Sequence, residues 1–167
     1  MNMKGKNLSH DFSKTEITKP PGFLYVDHIA IAVCTGELEN HVKMYKQIGV
    51  TELHREEIEG TDQVREVLLK IGNSPNLIQL LEPLSIDSPV QKQIDRNNGR
   101  SGLAHVGLRV KNAQAAFDFL KAEGFQIIDK APRPGSRGTT VFFLHPKSHD
   151  DTPFCVLYEV VEYTNGS

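Results

Sequence analysis

What the sequence lacks narrows the possible classes of protein. Its 167 residues contain no apolar run near the roughly 18 residues that a membrane-spanning helix needs, so no membrane partner is expected. They carry no basic excess either. The formal net charge is −2, whereas nucleic-acid binding normally needs a basic face. The two cysteines, Cys34 and Cys155, predict no disulfide framework, and a reducing, cytoplasmic location is expected.

The remaining composition is that of an ordinary globular protein. Hydrophobic residues make up 38% and charged residues 24% of the chain. Residues 1–22 are polar and have no apolar segment of the kind found in secretory signals, so they are predicted to form an N-terminal tail. Residues 23–163 are predicted to form a single domain.

Two similar stretches, VDHIAIAV at 26–33 and LAHVGLRV at 103–110, indicate an internal repeat. Each is followed by a helical pattern and then by three strand-like segments. The order β-α-β-β-β therefore occurs at about 23–83 and again at about 102–163, with a linker helix in 84–101. A repeat of this length indicates two packed copies of one unit. The expected fold is α+β, with two tandem βαβββ modules forming a curved mixed sheet around a cleft.

Local patterns predict the details of these elements. In the second copy, FQIIDK at 125–130 is predicted as a strand and APRPGSRG at 131–138 as a loop. Asn112 is predicted to cap the helix of that copy. Asp87 or Ser88 is predicted to cap the linker helix.

Four polar residues occupy matching places in otherwise apolar strands. His28 and His105 are 77 positions apart, and Gln79 and Glu159 are 80 apart. A lone histidine in a strand is more often a hydrogen-bonded core residue than a metal ligand. Two at equivalent positions of a repeat would face each other across a pseudo-twofold axis, which favours a shared site.

One divalent cation could satisfy all four of these side chains. Buried polar groups need partners, because unpaired burial costs several kcal/mol. Imidazole together with carboxylate and carbonyl oxygens suits Co²⁺, Mn²⁺, Ni²⁺, Zn²⁺ or Fe²⁺. The alternative is a polar network of the same four residues without a metal.

Several motifs resemble those of one family. DHIAIAV, LIQLLEPL followed by DSP, NGRSGLAHVGLRV, FLHPKS and VLYEVVEY are similar to segments of the vicinal-oxygen-chelate superfamily, which includes glyoxalases and extradiol dioxygenases. Their combination most resembles the methylmalonyl-CoA epimerase family, from about Phe23 to Tyr163. The resemblance implies a metal-dependent epimerase that removes and returns a proton through a metal-stabilised enolate.

The resemblance also implies roles for individual residues. It makes His28, Gln79, His105 and Glu159 the ligands of one divalent ion per chain, with Co²⁺ favoured. It makes Glu66 a catalytic base, and Glu159 is expected to serve the opposite face of the substrate. An acyl-CoA substrate and a homodimer are expected.

Three basic residues near the rim are candidate contacts for CoA phosphates or for the substrate carboxylate. They are Arg133, Arg137 and Lys147. Charged loop residues are more often simply solvated, so each also has that interpretation.

Two departures from the family pattern stand out. Ala104 occupies the place of the first of two histidines, so the surroundings of His105 are expected to differ. The turn at 149–155 is longer than usual, which is expected to reshape the rim. Two other functions stay open: a glyoxalase-I-like lyase, and a metal-free small-molecule-binding protein of the resistance type.

Overall fold

The computed structural model describes residues 20–147 and 153–163. The predicted tail therefore lies almost wholly outside the described residues, as does most of the 149–155 turn. The elements are β1 (Phe23–Ala32), α1 (Leu38–Gln47), β2 (Thr51–Ile58), β3 (Val64–Lys70), β4 (Leu77–Pro83), α2 (Pro89–Arg96), β5 (Gly102–Val110), α3 (Ala113–Ala122), β6 (Arg133–Pro134), a 3₁₀ turn (Ser136–Gly138), β7 (Thr139–Leu144) and β8 (Tyr158–Tyr163). No helix in this part of the chain is long and apolar enough to cross a membrane.

The strands of the described residues form one mixed sheet in the order β2-β3-β4-β1-β5-β8-β7-β6. The first strands of the two modules, β1 and β5, lie antiparallel at its centre. Each is flanked by the last strand of its own module in parallel, β4 beside β1 and β8 beside β5. The predicted fold, two βαβββ modules in one curved mixed sheet, is confirmed.

Each helix buries an apolar stripe against the sheet. Leu38 and Val42 of α1 pack into a cluster with Val67, Leu69 and Leu80 of β3 and β4. The helix of the second module, α3, packs in the same way against β7 and β8. Burial of such stripes stabilises the fold by roughly 25 cal/mol for each Å² of apolar surface removed from water.

A carboxylate in the last strand of each module, buried at Glu82 and half-buried at Glu162, anchors that module's helix. Glu82 Oε1 accepts hydrogen bonds from the backbone N–H of Gly36 at 2.7 Å and of Leu38 at 3.2 Å. Glu162 Oε2 accepts one from the N–H of Ala113 at 2.7 Å. The two glutamates are 80 positions apart, the same spacing as Gln79 and Glu159. The repeat therefore extends to the way each helix is attached.

The predicted caps are confirmed, but one predicted strand is wrong. Asn112 accepts a hydrogen bond at the start of α3, and Ser88 does so at the start of α2. Residues 125–130 form only an isolated bridge, and the short strand β6 follows within the predicted loop. The reason is that the Asp129 carboxylate accepts the N–H of Phe143 at 2.7 Å, a bond that a regular strand would make through its backbone.

Replacing Glu82 by alanine is expected to destabilise the fold by about 2–3 kcal/mol, because two helix N–H groups and Arg65 lose a buried acceptor. Arg65 Nη1 lies 2.6 Å from Glu82 Oε2 and also pairs with the exposed Glu57. Glu57→Ala is therefore a matched control, expected to cost less than about 1 kcal/mol. Urea unfolding of both variants measures the difference. Equal losses would show that the helix anchor contributes nothing.

Candidate functional site

Two short rows of side chains cross the centre of the sheet. In each row a small residue lies between two polar ones, and the pseudo-twofold repeat relates one row to the other. The rows are Gln79–Ala30–His105 and His28–Gly107–Glu159. The pairing of β1 with β5 thus brings together the four residues that the repeat had singled out.

The small residue in one row leaves space for an imidazole ring. A Cβ atom at Gly107 would lie 2.3 Å from His28 Cε1 and 2.7 Å from its Nε2. No side chain could occupy that position without displacing the ring. Glycine at 107 therefore fixes where His28 can lie, which the sequence did not indicate.

Three of the four residues direct an atom toward one point. His28 Nε2 lies 3.0 Å from His105 Nε2 and 3.1 Å from Glu159 Oε2, and His105 Nε2 lies 3.7 Å from the same oxygen. Both histidines are buried, and the Glu159 side chain is only 13% exposed. The expectation that the two histidines meet across the repeat is confirmed.

The two imidazoles differ in charge. Burial alone would lower the pKa of His28, but the hydrogen bonds and charges of Asp27 and Glu159 outweigh it and raise that pKa to about 9. Asp27 Oδ1 accepts from His28 Nδ1 at 3.0 Å, which turns Nε2 toward the centre. Burial lowers the pKa of His105 to about 4. One histidine is thus cationic and the other neutral near pH 7.

Beside this cluster lies a second buried pair. Gln79 Nε2 donates to Glu66 Oε2 at 2.6 Å. Burial raises the pKa of Glu66, and the bond from Gln79 and the charge of Arg137 only partly oppose this. The Oε1 atoms of Gln79 and Glu66 are both buried and have no hydrogen-bond partner among the described residues.

These donors fit a divalent ion. Atoms that bind one ion at about 2.0–2.2 Å lie about 3 Å from one another, close to the observed separations of His28, His105 and Glu159. The unpartnered Gln79 Oε1 supplies a neutral oxygen acceptor. Two imidazoles, one carboxylate and one amide oxygen suit a transition metal of borderline softness.

A cavity of about 250 Å³ opens over the site. The four donor residues and Glu66 all line it. Arg133 and Arg137 line it as well, whereas Lys147 is not among the lining residues. Arg133 is already engaged: its guanidinium binds Asp62 at 3.1 and 3.3 Å and Asp129 at 3.0 Å. Arg137 has a buried Nε that lacks a hydrogen-bond partner within the described segments. Arg137 is thus the better placed of the two for an anionic group.

Comparison with known proteins assigns the chain to a family. A model of the Glyoxalase/Bleomycin resistance protein/Dioxygenase superfamily matches residues 27–143. The mitochondrial methylmalonyl-CoA epimerase of Dictyostelium discoideum is 32% identical over 123 residues, 74% of this chain and 71% of that protein. The chain belongs to the methylmalonyl-CoA epimerase family.

Solved structures of this epimerase family are similar over most of the chain. Methylmalonyl-CoA epimerase from Mycobacterium tuberculosis has a TM-score of 0.74 and 30% identity, covering 84% of this chain and 88% of that one. A methylmalonyl-CoA epimerase in complex with methylmalonyl-CoA and NH4+ has a TM-score of 0.72 and 31% identity, covering 85% and 96%. The chain is therefore an epimerase-type enzyme, as the sequence motifs predicted.

Proposed function

We propose that this epimerase interconverts the (R) and (S) forms of methylmalonyl-CoA. The observation that carries the proposal is the placement of two carboxylates in one cavity. Glu66 on β3 and Glu159 on β8 both line it, and the strands that bear the two histidines lie between them. Two carboxylates on opposite sides of a bound molecule are what inversion at a carbon requires, one to remove the proton and one to return it.

The reacting carbon of this substrate lies between a thioester and a carboxylate, so losing its proton gives an enolate. Glu66 accepts the proton on one face as a carboxylate, and Glu159, in a protonated form that has left the ligand set, donates one on the other. In the reverse direction Glu159 accepts as a carboxylate and the protonated Glu66 donates, and both carboxyl groups exchange protons with solvent between turnovers. The raised pKa of Glu66 makes its carboxylate a stronger base than a solvated glutamate. Apolar side chains, among them Leu81, Val141 and Phe143, line the cavity together with the two glutamates.

The residues that would hold a metal are His28, Gln79, His105 and Glu159. When bound, a divalent ion would supply positive charge next to the developing enolate and stabilise it. We propose one ion per chain, with Co²⁺ favoured over Mn²⁺, Ni²⁺, Zn²⁺ and Fe²⁺.

Arg137 is proposed to bind the carboxylate of the substrate. Its guanidinium lies 5.0 Å over the Tyr163 ring, and its Nε makes no hydrogen bond in the described part of the chain. Arg–carboxylate pairs are often bidentate, which would orient the substrate between the two glutamates. The roles of Arg133 and Lys147 as contacts for the CoA moiety stay predictions.

A homodimer and a cytoplasmic location also stay predictions. Ile29 and Leu103, on the two central strands, are 44% and 56% exposed, which supports an association through this face. The Dictyostelium relative is named as mitochondrial, a property of that protein. Sedimentation of the purified chain tests the dimer.

Deuterium exchange tests the proposed reaction. The enzyme, given either epimer of methylmalonyl-CoA in heavy water, is expected to incorporate deuterium at the α-carbon and to yield the other epimer. A glyoxalase-I-like lyase would instead turn over a thiol adduct, and a binding protein would do neither. Absence of both exchange and interconversion, in protein shown by elemental analysis to hold its metal, would refute the proposal.

Metal uptake is expected to release about one proton per chain from about pH 5 to about pH 8, because only neutral imidazole binds a metal. The proton comes from His28, whose pKa is raised to about 9, since His105, with a pKa of about 4, is already neutral. Affinity should rise about tenfold per pH unit and level off above about pH 9. Calorimetry in buffers of different ionisation enthalpy counts the protons. Release of two would contradict the neutral His105.

A further inference from the structure

A second group of metal-binding side chains lies at the edge of the sheet, next to Glu66. His54 and Glu56 are two positions apart on β2, so their side chains lie on the same face. In the β2–β3 hairpin Glu56 lies opposite Glu66. One imidazole and two carboxylates therefore meet outside the two rows of residues that cross the centre of the sheet.

Three buried atoms of these side chains lie close together, and one of them has no partner among the described residues. His54 Nε2, Glu56 Oε1 and Glu66 Oε1 are each shielded from solvent and make no hydrogen bond to any described residue. His54 Nε2 and Glu56 Oε1 are 3.2 Å apart, and the ligand atoms of all three lie within 4.8 Å of one another. The His54–Glu56 contact is short enough for an ion pair, so Glu66 Oε1, in a side chain that is only 1% exposed, is the atom left without a partner among the described residues. An unpaired oxygen of a buried carboxylate, beside an imidazole and a second carboxylate, indicates a missing partner.

The chemistry of the three groups identifies that partner. Two neighbouring carboxylates repel each other, and a neutral imidazole offers a lone pair, so a divalent cation satisfies all three. Zn²⁺ binds histidine nitrogen and carboxylate oxygen at about 2.0–2.2 Å, and such ligand atoms lie about 3 Å apart. We propose that His54, Glu56 and Glu66 form a second divalent-cation site, for which Zn²⁺ is the best-suited ion.

Glu66 belongs to both sites through different oxygens. Its Oε2 accepts from Gln79 in the central cluster, and its Oε1 belongs to the edge cluster. A cation at the edge engages the carboxylate that the proposed reaction uses as a base. Occupation of the edge site therefore inhibits epimerisation. This consequence rests on the proposed function, whereas binding of the cation does not.

Metal counting tests the binding. The full-length protein, loaded with Co²⁺, is dialysed against excess ZnCl₂, and elemental analysis gives cobalt plus zinc per chain. The wild type is expected to hold two ions, and His54→Ala and Glu56→Gln one each. His41→Ala, which removes a histidine from α1, is the matched control and keeps two. A wild type with one ion, or a His54→Ala variant that binds as many as the wild type, overturns the site.

Turnover tests the regulatory consequence. Added Zn²⁺ is expected to reduce wild-type turnover by about 10²-fold, the lower range for loss of a general base, and to leave His54→Ala unaffected. Equal inhibition of both proteins overturns the regulatory role. If no protein turns over methylmalonyl-CoA but the metal counts differ as expected, the proposed function fails and the second site stands.

Discussion

Glu66→Gln is expected to keep the metal and the substrate affinity and to lose about 10²–10⁴-fold in turnover, the usual contribution of a general base. Glutamine has the shape of glutamate, and its carbonyl oxygen can still accept the bond from Gln79 Nε2. It cannot take up a proton. The loss should therefore appear in kcat with little change in KM. Glu57→Gln, an exposed glutamate of the adjacent strand, is the control and should retain full turnover.

Exchange experiments on the same variant separate the two faces of the substrate. With Glu159 still present, Glu66→Gln is expected to exchange the α-proton of one epimer with heavy water without converting it to the other. Equal loss of exchange from both epimers would argue against a role on one face. Full turnover would remove Glu66 from the mechanism and leave it as a buried partner of Gln79.

His105→Ala is expected to lose stoichiometric metal while remaining folded. His105 Nε2 is one of three atoms that converge at the centre, and its ring also contacts Phe143 edge-on at 5.4 Å. Loss of the charge that stabilises the enolate should reduce turnover by at least the ~10²–10³-fold typical of one oxyanion donor. Elemental analysis and circular dichroism measure metal and fold separately.

His41→Ala provides the comparison for His105→Ala, since it removes a histidine that does not line the cavity. It should keep both metal and turnover. A His105→Ala protein that holds one ion per chain with wild-type affinity would show that the ligand assignment is wrong, whatever its activity.

Much of the central cluster could be predicted because the repeat makes it visible in the sequence. The separation of His28 from His105, 77 positions, is close to the separation of Gln79 from Glu159, 80 positions. A pseudo-twofold arrangement of the two copies therefore predicts that these four residues meet. The glutamates that anchor the helices follow the same rule. Glu82 and Glu162 each lie three residues after the polar residue of their strand, and the matched spacing was the signal that could have revealed them.

Other features depend on contacts between segments that no repeat encodes. Asp27 and His28 are neighbours in a strand, and such neighbours normally point to opposite faces. They touch because the pairing of β1 with β5 shifts register between Val26 and His28. The strand predicted at 125–130 is replaced because the Asp129 side chain competes for a backbone N–H. Apolar periodicity contains no information on either event.

The strand geometry at the centre of the sheet determines whether the four donor side chains can bind one ion. They come from four adjacent strands, β4, β1, β5 and β8. Strands lie about 4.8 Å apart, so in a flat sheet the outer two would be about 14 Å from each other. Register shifts on both sides of His28 increase the local twist of the central pair. The same four residues on a regular, flat sheet would be too widely spaced to form a chelate, so strand irregularity is as necessary to the site as the identity of its donors.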